Sequence, residues 1–270
     1  MKKKENKDFD LEVFTLASGS RGNAAFVSNG STSILIDAGL SGIEVDRRLR
    51  TKGHCLADID AILISHEHGD HIHAAGILSR RLDIPVYLTP KAWKASERKL
   101  GKISDIRHFN SGLGFKINSL EIYPFSTSHD SEDPVSLTIR QNGTKIGIAT
   151  DLGIATALVK EHLKNCSLLI LEANHDPVML MNGPYPWHLK QRIKSRTGHL
   201  SNDDSGKLLK EILHEQLQHV ILGHLSEKNN TPHKALNAAG QAMNGSKASL
   251  AIAPQDRCSE VFRLKSGGLQ

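Results

Sequence analysis

Between Ser65 and His73 the chain reads SHEHGDHIH, four histidines and two acids in nine residues, directly after the apolar run AILI (61–64). Packing alone has no use for so many imidazoles in one turn. Neutral imidazoles and a carboxylate are good ligands for Zn²⁺ and similar divalent ions. Read as His66-x-His68-x-Asp70-His71, the spacing suits that use. Positions 66 and 68 are two apart, so an extended backbone points both side chains the same way. A turn at Gly69 then lets Asp70 and His71 face a neighbouring position, which gives two ligands to each of two metals. The plainer alternative is a helix-capping loop in which Asp70 caps the helix after it. Further donors stand where other apolar runs stop: His129 after YPFSTS, Asp151 after KIGIAT, His224 after VILG. Singly, each reads as a turn or cap residue. Together with the first cluster they supply the missing third ligands.

Strand ends must bring these donors together. In the first half EVFTLA (12–17), AAFVS (24–28), TSILIDA (32–38) and AILIS (61–65) read as strands separated by the turn-rich SGSRGN and SNGS. A helical pattern follows the histidine run, IPVYLT (84–89) is a strand, and PKAWKASERKL (90–100) is a helix with Thr89 as cap and Pro90 first. The second half repeats the theme. SLEIYPFST (119–127), PVSLTIR (134–140) and TKIGIAT (144–150) read as consecutive strands, followed by the helix IATALVKEHL and the buried strand CSLLILEA. A long helical stretch runs from Asp176 to His214, broken near Gly198, before the strand HVILGHLS and a helix capped by Thr231. Two halves with strands first and helices after predict two sheets packed face to face with helices outside, an α/β sandwich.

With 270 residues the chain can bury a full core, and 39% hydrophobic with 23% charged residues is ordinary for a soluble globular protein. No apolar run approaches the roughly 18 residues needed to cross a bilayer. The basic start MKKKENKDFD lacks the apolar segment of a secretory signal, so residues 1–10 are expected to be a disordered tail and 11–270 a single domain, in the cytoplasm. Cys55, Cys166 and Cys258 form no CxxC pair, so neither a disulfide framework nor a thiolate zinc knuckle is indicated. The formal charge of +5 is compatible with an anionic partner. Nothing in the pattern specifies an oligomeric state.

The order His66-x-His68-x-Asp70-His71, His129, Asp151, His224 resembles the metallo-β-lactamase superfamily, and Asp37 at the end of SILIDAG matches that superfamily's first, non-coordinating motif. LASGSRGN, SHDSEDPVS, TDLG, LEANHD and HLSEKNN look most like its YycJ/WalJ-type branch of single-domain nucleases and phosphodiesterases. The resemblance implies a four-layer αββα sandwich. It also implies one metal on His66, His68 and His129, a second on Asp70, His71 and His224, and Asp151 bridging both. Asp37 would fix an imidazole through its other ring nitrogen. Zn²⁺ and Mn²⁺ both suit such a donor set. In related RNA-processing members a Glu–His pair placed like Glu172 and His199 resembles a proton donor for the leaving group; these two join Asp70 as the catalytic residues. The activity implied is a metal-dependent phosphodiesterase, most of all a 5′→3′ DNA exonuclease. A hydrolase of small or cyclic phosphodiesters, and a lactonase or thioesterase of the same fold, are the alternatives.

Candidate phosphate contacts come from three places. In WHLKQRIKSRTGH, Lys190 with Lys194 and Arg192 with Arg196 are i,i+4 neighbours on a helix, a basic face suited to DNA phosphates. Arg21 lies in the glycine loop SGSRGN, and Asn230 lies just before a helix N-terminus. Each also has a plain reading as a solvated surface or turn residue.

Overall fold

Val13 and Phe14, neighbours in the first strand, are both fully buried but belong to different cores, and that division organises the fold. The structure is a computed structural model and describes residues 9–266; positions 1–8 of the expected tail lie outside the described residues. Asp10, the last position of that tail, is not loose. Its N–H donates to Leu264 O, and its carboxylate accepts from Asn142 and Thr144.

One sheet holds β1 (Leu11–Ala17), β2 (Ala24–Ser28), β3 (Ser33–Ile36), β4 (Ala61–Leu63), β5 (Val86–Leu88) and β6 (Ile106–His108). The other holds β7 (Phe115–Ile117), β8 (Leu120–Ser126), β9 (Val135–Gln141), β10 (Thr144–Ala149), β11 (Leu168–Glu172), β12 (His219–Gly223) and β13 (Ser249–Ile252). The C-terminal strand β14 (Phe262–Leu264) returns to pair with β1 in the first sheet. The two sheets share one plan. Going along each, three antiparallel pairings give way to three parallel ones, with β3 and β10 at the change.

Helices α1 (Gly42–Thr51), α2 (Gly69–Ile72), α3 (Ala75–Leu82) and α4 (Pro90–Leu100) belong to the first half. The second half carries α5 (Ala157–Leu163), α6 (Pro177–Asn182), α7 (Trp187–Lys194), α8 (Asn202–Ile212) and α9 (Pro232–Ala242). Alternation along the strands sends Val13, Val27, Ile34 and Leu63 to the core between the sheets, where they meet Ile122, Ile139, Ile146 and Ile170. Phe14, Phe26 and Ile62 point outward and are covered by Val45 and Leu49 of α1 and Leu78 of α3. Leu169, Leu171 and Leu222 do the same on the far side beneath α5, α8 and α9. The layers are therefore αββα. Burying each such Leu, Ile or Phe side chain contributes about 1.5–3 kcal/mol, which is how a chain with few aromatics is held together.

The helix boundaries correct the sequence reading in one region. The stretch 176–214 is three helices, because Pro184 and Pro186 on either side of Tyr185 end α6 and set the start of α7. Among the described residues no helix is long and apolar enough to cross a membrane.

Candidate metal centre

Each donor named from the sequence sits at or just past the C-terminal end of a strand. Asp37 follows β3, His66 to His71 follow β4, His129 follows β8, Asp151 follows β10, Glu172 ends β11 and His224 follows β12. Parallel neighbours open such ends in one direction, the usual place for a site in α/β sheets. Asp37, Asp151 and His224 have φ of +59°, +56° and +55°. A non-glycine residue in this left-handed region costs on the order of 1–3 kcal/mol, and such strain clusters at functional sites. All three side chains are buried.

Three imidazoles, those of His66, His71 and His129, have their Nδ1 held from outside and Nε2 turned to the site, while His224 presents its Nδ1 both to Glu172 and, at 3.3 Å, to Asp151 Oδ1. His71 Nδ1 donates to Asp37 Oδ2 at 2.8 Å, while Ser65 clamps the same carboxylate with its N–H and its hydroxyl. His66 Nδ1 meets Ser65 Oγ at 3.0 Å, and His129 Nδ1 meets Gly198 O at 3.3 Å. His224 Nδ1 donates to Glu172 Oε1 at 2.8 Å. Acceptors placed behind an imidazole in this way fix the tautomer that a metal needs. His68 turns its Nδ1 inward, 3.1 Å from His66 Nε2 and 3.2 Å from His129 Nε2.

The fit to a divalent cation follows from these contacts. Burial holds the His66 and His129 imidazoles below their ordinary pKa, so they are neutral and their nitrogen lone pairs converge. Ligand nitrogens around tetrahedral zinc, at Zn–N bonds of about 2.0–2.1 Å, lie roughly 3.3–3.4 Å apart, close to the spacing seen here. Asp151 Oδ2 is buried with no hydrogen-bond partner among the described residues, although His71 Nε2 stands 3.3 Å away. Burial would raise the Asp151 carboxyl, but the charges of His224 and His71 outweigh it and hold it well below the carboxylate range. The reciprocal effect appears on the other side. Burial would lower His71 and His224, yet Asp151 with Asp37 pushes the first up to about 10, and Asp151 with Glu172 pushes the second up to about 9. Without a metal, protons supply the positive charge these buried carboxylates demand. A divalent cation fits the donor set.

The donors fall into three overlapping groups, each with its ligand atoms within 4.8 Å of one another: His66, His68 and His129; His66, His71 and Asp151; and Asp151, Glu172, His199 and His224. Asp151 belongs to two of them. Asp70 lines the cavity and lies 3.7 Å from His71 Nε2, and it does not cap a helix, since His68 is the N-cap of α2.

Glu172 is fully buried and accepts four hydrogen bonds. Oε1 takes the Nδ1–H of His199 and of His224, both at 2.8 Å, and Oε2 takes the N–H of Leu152 and Leu200. Burial would raise its pKa, but the two histidines bring it down to about 2. His199 is thereby held at the cavity beside a fixed negative charge.

The basic segment departs from the sequence reading. Helix α7 ends at Lys194, so Arg196 lies beyond it and the four cations do not form one helical face. Lys190 donates to Met181 O, Lys194 reaches Met181 Sδ, and Arg192 Nε donates to Asp130 Oδ2 at 2.5 Å. Of the four, only Arg192 lines the cavity, a space of about 220 Å³. Arg21 pairs with Glu227 on the surface. Asn230 is also corrected. It is buried in a reciprocal amide pair with Asn202, its Nδ2 donates to Ala173 O, and its Oδ1 accepts from Thr231 N, so nothing is left for a phosphate.

Other residues enter the site unannounced. Asn23 Nδ2 donates to Asp70 Oδ2 at 3.3 Å and lies 3.0 Å from His71 Nε2, and its Oδ1 accepts from Gly19 N. Ser65 is the hub behind Asp37, His66 and His71. Asn174 Nδ2 holds His224 O, and Ser18 Oγ accepts from His224 N. The glycine loop SGSRGN is the one signal that pointed near Asn23.

Comparison with known proteins gives a consistent picture. The family described as the beta-lactamase superfamily domain matches residues 32–224. The exodeoxyribonuclease YycJ of Bacillus anthracis is 34% identical over 86% of this chain and 89% of its own. The exodeoxyribonuclease WalJ of Streptococcus pneumoniae serotype 2 is 37% identical over 80% of this chain and 81% of its own. Among solved structures, the metallo-beta-lactamase fold protein YhfI of Bacillus subtilis superposes with a TM-score of 0.70, covering 93% of this chain and 98% of that one at 18% identity.

Proposed function

The chain belongs to the β-lactamase superfamily, and on that footing we propose that it is a metal-dependent exodeoxyribonuclease that removes nucleotides from the 5′ end of DNA. The observation that carries the reading is the convergence of imidazole lone pairs beside the unpartnered Asp151 Oδ2. Two divalent ions, zinc or manganese, would be held by His66, His68 and His129 on one side and by Asp70, His71 and His224 on the other, with Asp151 shared. When bound, the pair supplies a nucleophile at neutral pH and positive charge for the phosphoryl oxygens. Residues 11–270 act in this reading as one domain, in the cytoplasm, where chromosomal DNA is at hand.

The remaining chemistry belongs to side chains. Asp37, Ser65 and the Gly198 carbonyl keep each imidazole in the tautomer that ligates. Glu172 holds the Nδ1–H of His199 and orients the ring at the cavity, where His199 serves as the proton donor to the departing oxygen. A phosphodiester needs that proton because its leaving group is a poor one. Leu189 and Ile193 give the cavity an apolar wall that limits water around the reacting groups.

The test is a time course with purified protein and Mn²⁺ or Zn²⁺ on oligonucleotides labelled at the 5′ or the 3′ end. The expected outcome is release of labelled mononucleotide from the 5′ end first and a ladder from the 3′ label. Turnover of bis-p-nitrophenyl phosphate with intact DNA would replace this reading by a small-phosphodiester hydrolase. Activity on a thioester alone would remove phosphoryl chemistry altogether.

A further inference from the structure

Arg192 is the only lysine or arginine among the described residues that line the cavity, and its helix fixes it there. Leu189, Arg192 and Ile193 stand at i, i+3 and i+4 of α7, so one face of the helix turns all three to the cavity. The end of α7 is in turn locked to the metal centre. His199 N donates to Ile193 O at 2.9 Å, and a Cβ at Gly198 would lie only 2.1 Å from that same oxygen. Ser128 Oγ donates to Arg196 O, which ties this corner to the loop that carries His129 and Asp130. Asp130 spans the gap between the two. Its Oδ2 accepts from Arg192 Nε at 2.5 Å, and its Oδ1 lies 3.4 Å from His129 Nε2. Arg192 makes no other hydrogen bond or ion pair among the described residues, so both terminal nitrogens are without a protein acceptor. A carboxylate on Nε leaves the Nη1–Nη2 edge, a planar fork that matches two oxygens of a phosphate. The Arg192 side chain is 59% exposed, and ordering so long a chain has an entropic cost that Asp130 meets before substrate arrives.

We propose that Arg192, aimed by Asp130, grips the two non-bridging oxygens of the phosphodiester in the cavity and so selects an anionic phosphodiester over a neutral ester or thioester. The proposal rests on the exodeoxyribonuclease reading and names the residue that sets its substrate class, with Asp130 as a positioning residue. A neutral carbonyl substrate would leave the fork unpaired in a closed site, and a site built to donate hydrogen bonds rejects a substrate that cannot accept them. Asp130 by itself repels an anion. Paired, the two are neutral together; without Arg192 the carboxylate stands bare beside the phosphate, so the loss of the arginine is felt twice.

The experiment uses the Mn²⁺-loaded full chain and a fluorescent phosphorothioate oligonucleotide, with Kd read by anisotropy and bound metal measured in parallel. Single linkages near the 5′ end are replaced in turn by an uncharged methylphosphonate. In the wild type one such replacement should weaken binding about 10- to 100-fold, the size of a lost charge-assisted fork. The same replacement should cost Arg192→Ala about tenfold less, at wild-type metal content, since the contact is already gone. Arg192→Lys, which keeps the charge without the fork, should fall between the two. Asp130→Ala should also shrink the cost, because the fork is no longer aimed. Arg192→Ala should in addition lower the slope of log Kd against log salt by about 0.7–0.9, one phosphate contact. Equal costs in wild type and Arg192→Ala, a lysine variant indistinguishable from wild type, an unchanged salt slope, or an Asp130→Ala variant with undiminished cost or lost metal would each overturn the assignment. Arg192-dependent preference for the charged linkage without cleavage of end-labelled DNA would remove the nuclease reading and leave the phosphate grip. Cleavage with equal costs would do the reverse.

Discussion

Glu172→Gln is the substitution whose consequence can be worked out most fully. The carboxylate accepts from two imidazoles on one oxygen and from two backbone N–H groups on the other, all out of solvent. An amide has one oxygen for these four donors and sets an NH₂ against one pair. If the NH₂ faces Leu152 and Leu200, two buried N–H groups lose their acceptor at about 1–3 kcal/mol each, roughly 2–6 kcal/mol in all. If it faces the histidines, both imidazoles must invert their tautomers and turn Nε2–H toward the cavity. That loses the lone pair of His224 for the metal, a change of about 10–100-fold in affinity, or some 1.4–2.7 kcal/mol. The second arrangement is the cheaper one. Glu172→Gln should therefore lower the metal-free stability at pH 7, where the buried His224 loses a carboxylate that holds its proton, bind Zn²⁺ about 10–100-fold more weakly in a chelator competition, and turn over about 10²–10⁴-fold more slowly because the Nδ1–H of His199 is no longer held. A variant that binds zinc as tightly as wild type, with Nδ1 still protonated on both histidines by ¹⁵N NMR, would refute this reasoning.

Three further outcomes follow from other contacts. A Cβ at Gly39 would lie 1.6 Å from Asp70 O, so Gly39→Ala must push the Asp70–His71 backbone; a loss of about 1–3 kcal/mol in denaturant unfolding and lower bound metal are expected, and the absence of both changes would contradict the packing. Asn23→Ala removes the donor on Asp70 and the acceptor for Gly19 N–H, and should weaken metal binding about tenfold in the same chelator assay, with an unchanged affinity showing that Asp70 is held otherwise. Glu12 is buried; burial would raise its pKa, but His54 and Arg263 outweigh this and hold it below its ordinary 4.5. Its stabilisation is thus fully present above that value and lost as the pH falls through it toward the lower folded-state pKa. Glu12→Gln should cost about 1–2 kcal/mol at pH 7 and flatten the acid limb of the stability curve, whereas a constant difference at every pH would rule the pairing out.

The cluster of candidate donors was legible because ligation would demand particular residue types at particular spacings, and neither packing nor capping calls for His66-x-His68-x-Asp70-His71 after a buried strand. The long strands and the helix 90–100 were legible from periodicity and from the Thr89–Pro90 cap, which the structure reproduces with Thr89 Oγ1 accepting from Ala92 N. The strands β6, β7, β13 and β14 are the edge strands of the two sheets and are partly exposed, so they lack the buried apolar run that marks the equally short β3, β4 and β5. β14 in addition pairs with a strand some 250 residues away, a contact no local pattern encodes. The helical stretch 176–214 reads as nearly continuous because helix formers lie on both sides of Tyr185, while Gly183, Pro184 and Pro186 beside it interrupt the helix. Asn23 and Ser65 are generic polar residues in sequence. Their roles arise from pairings 47 and 28 positions distant, which only the closed sandwich brings about.

Anomalous diffraction from crystals grown with Mn²⁺ or Zn²⁺ would test the metal centre most directly. Two peaks per chain are expected, one among His66, His68 and His129 and one beside His71 and His224, with Asp151 touching both. A single peak, none at all, or an Asp151 side chain turned away from both positions would contradict the two-metal exonuclease.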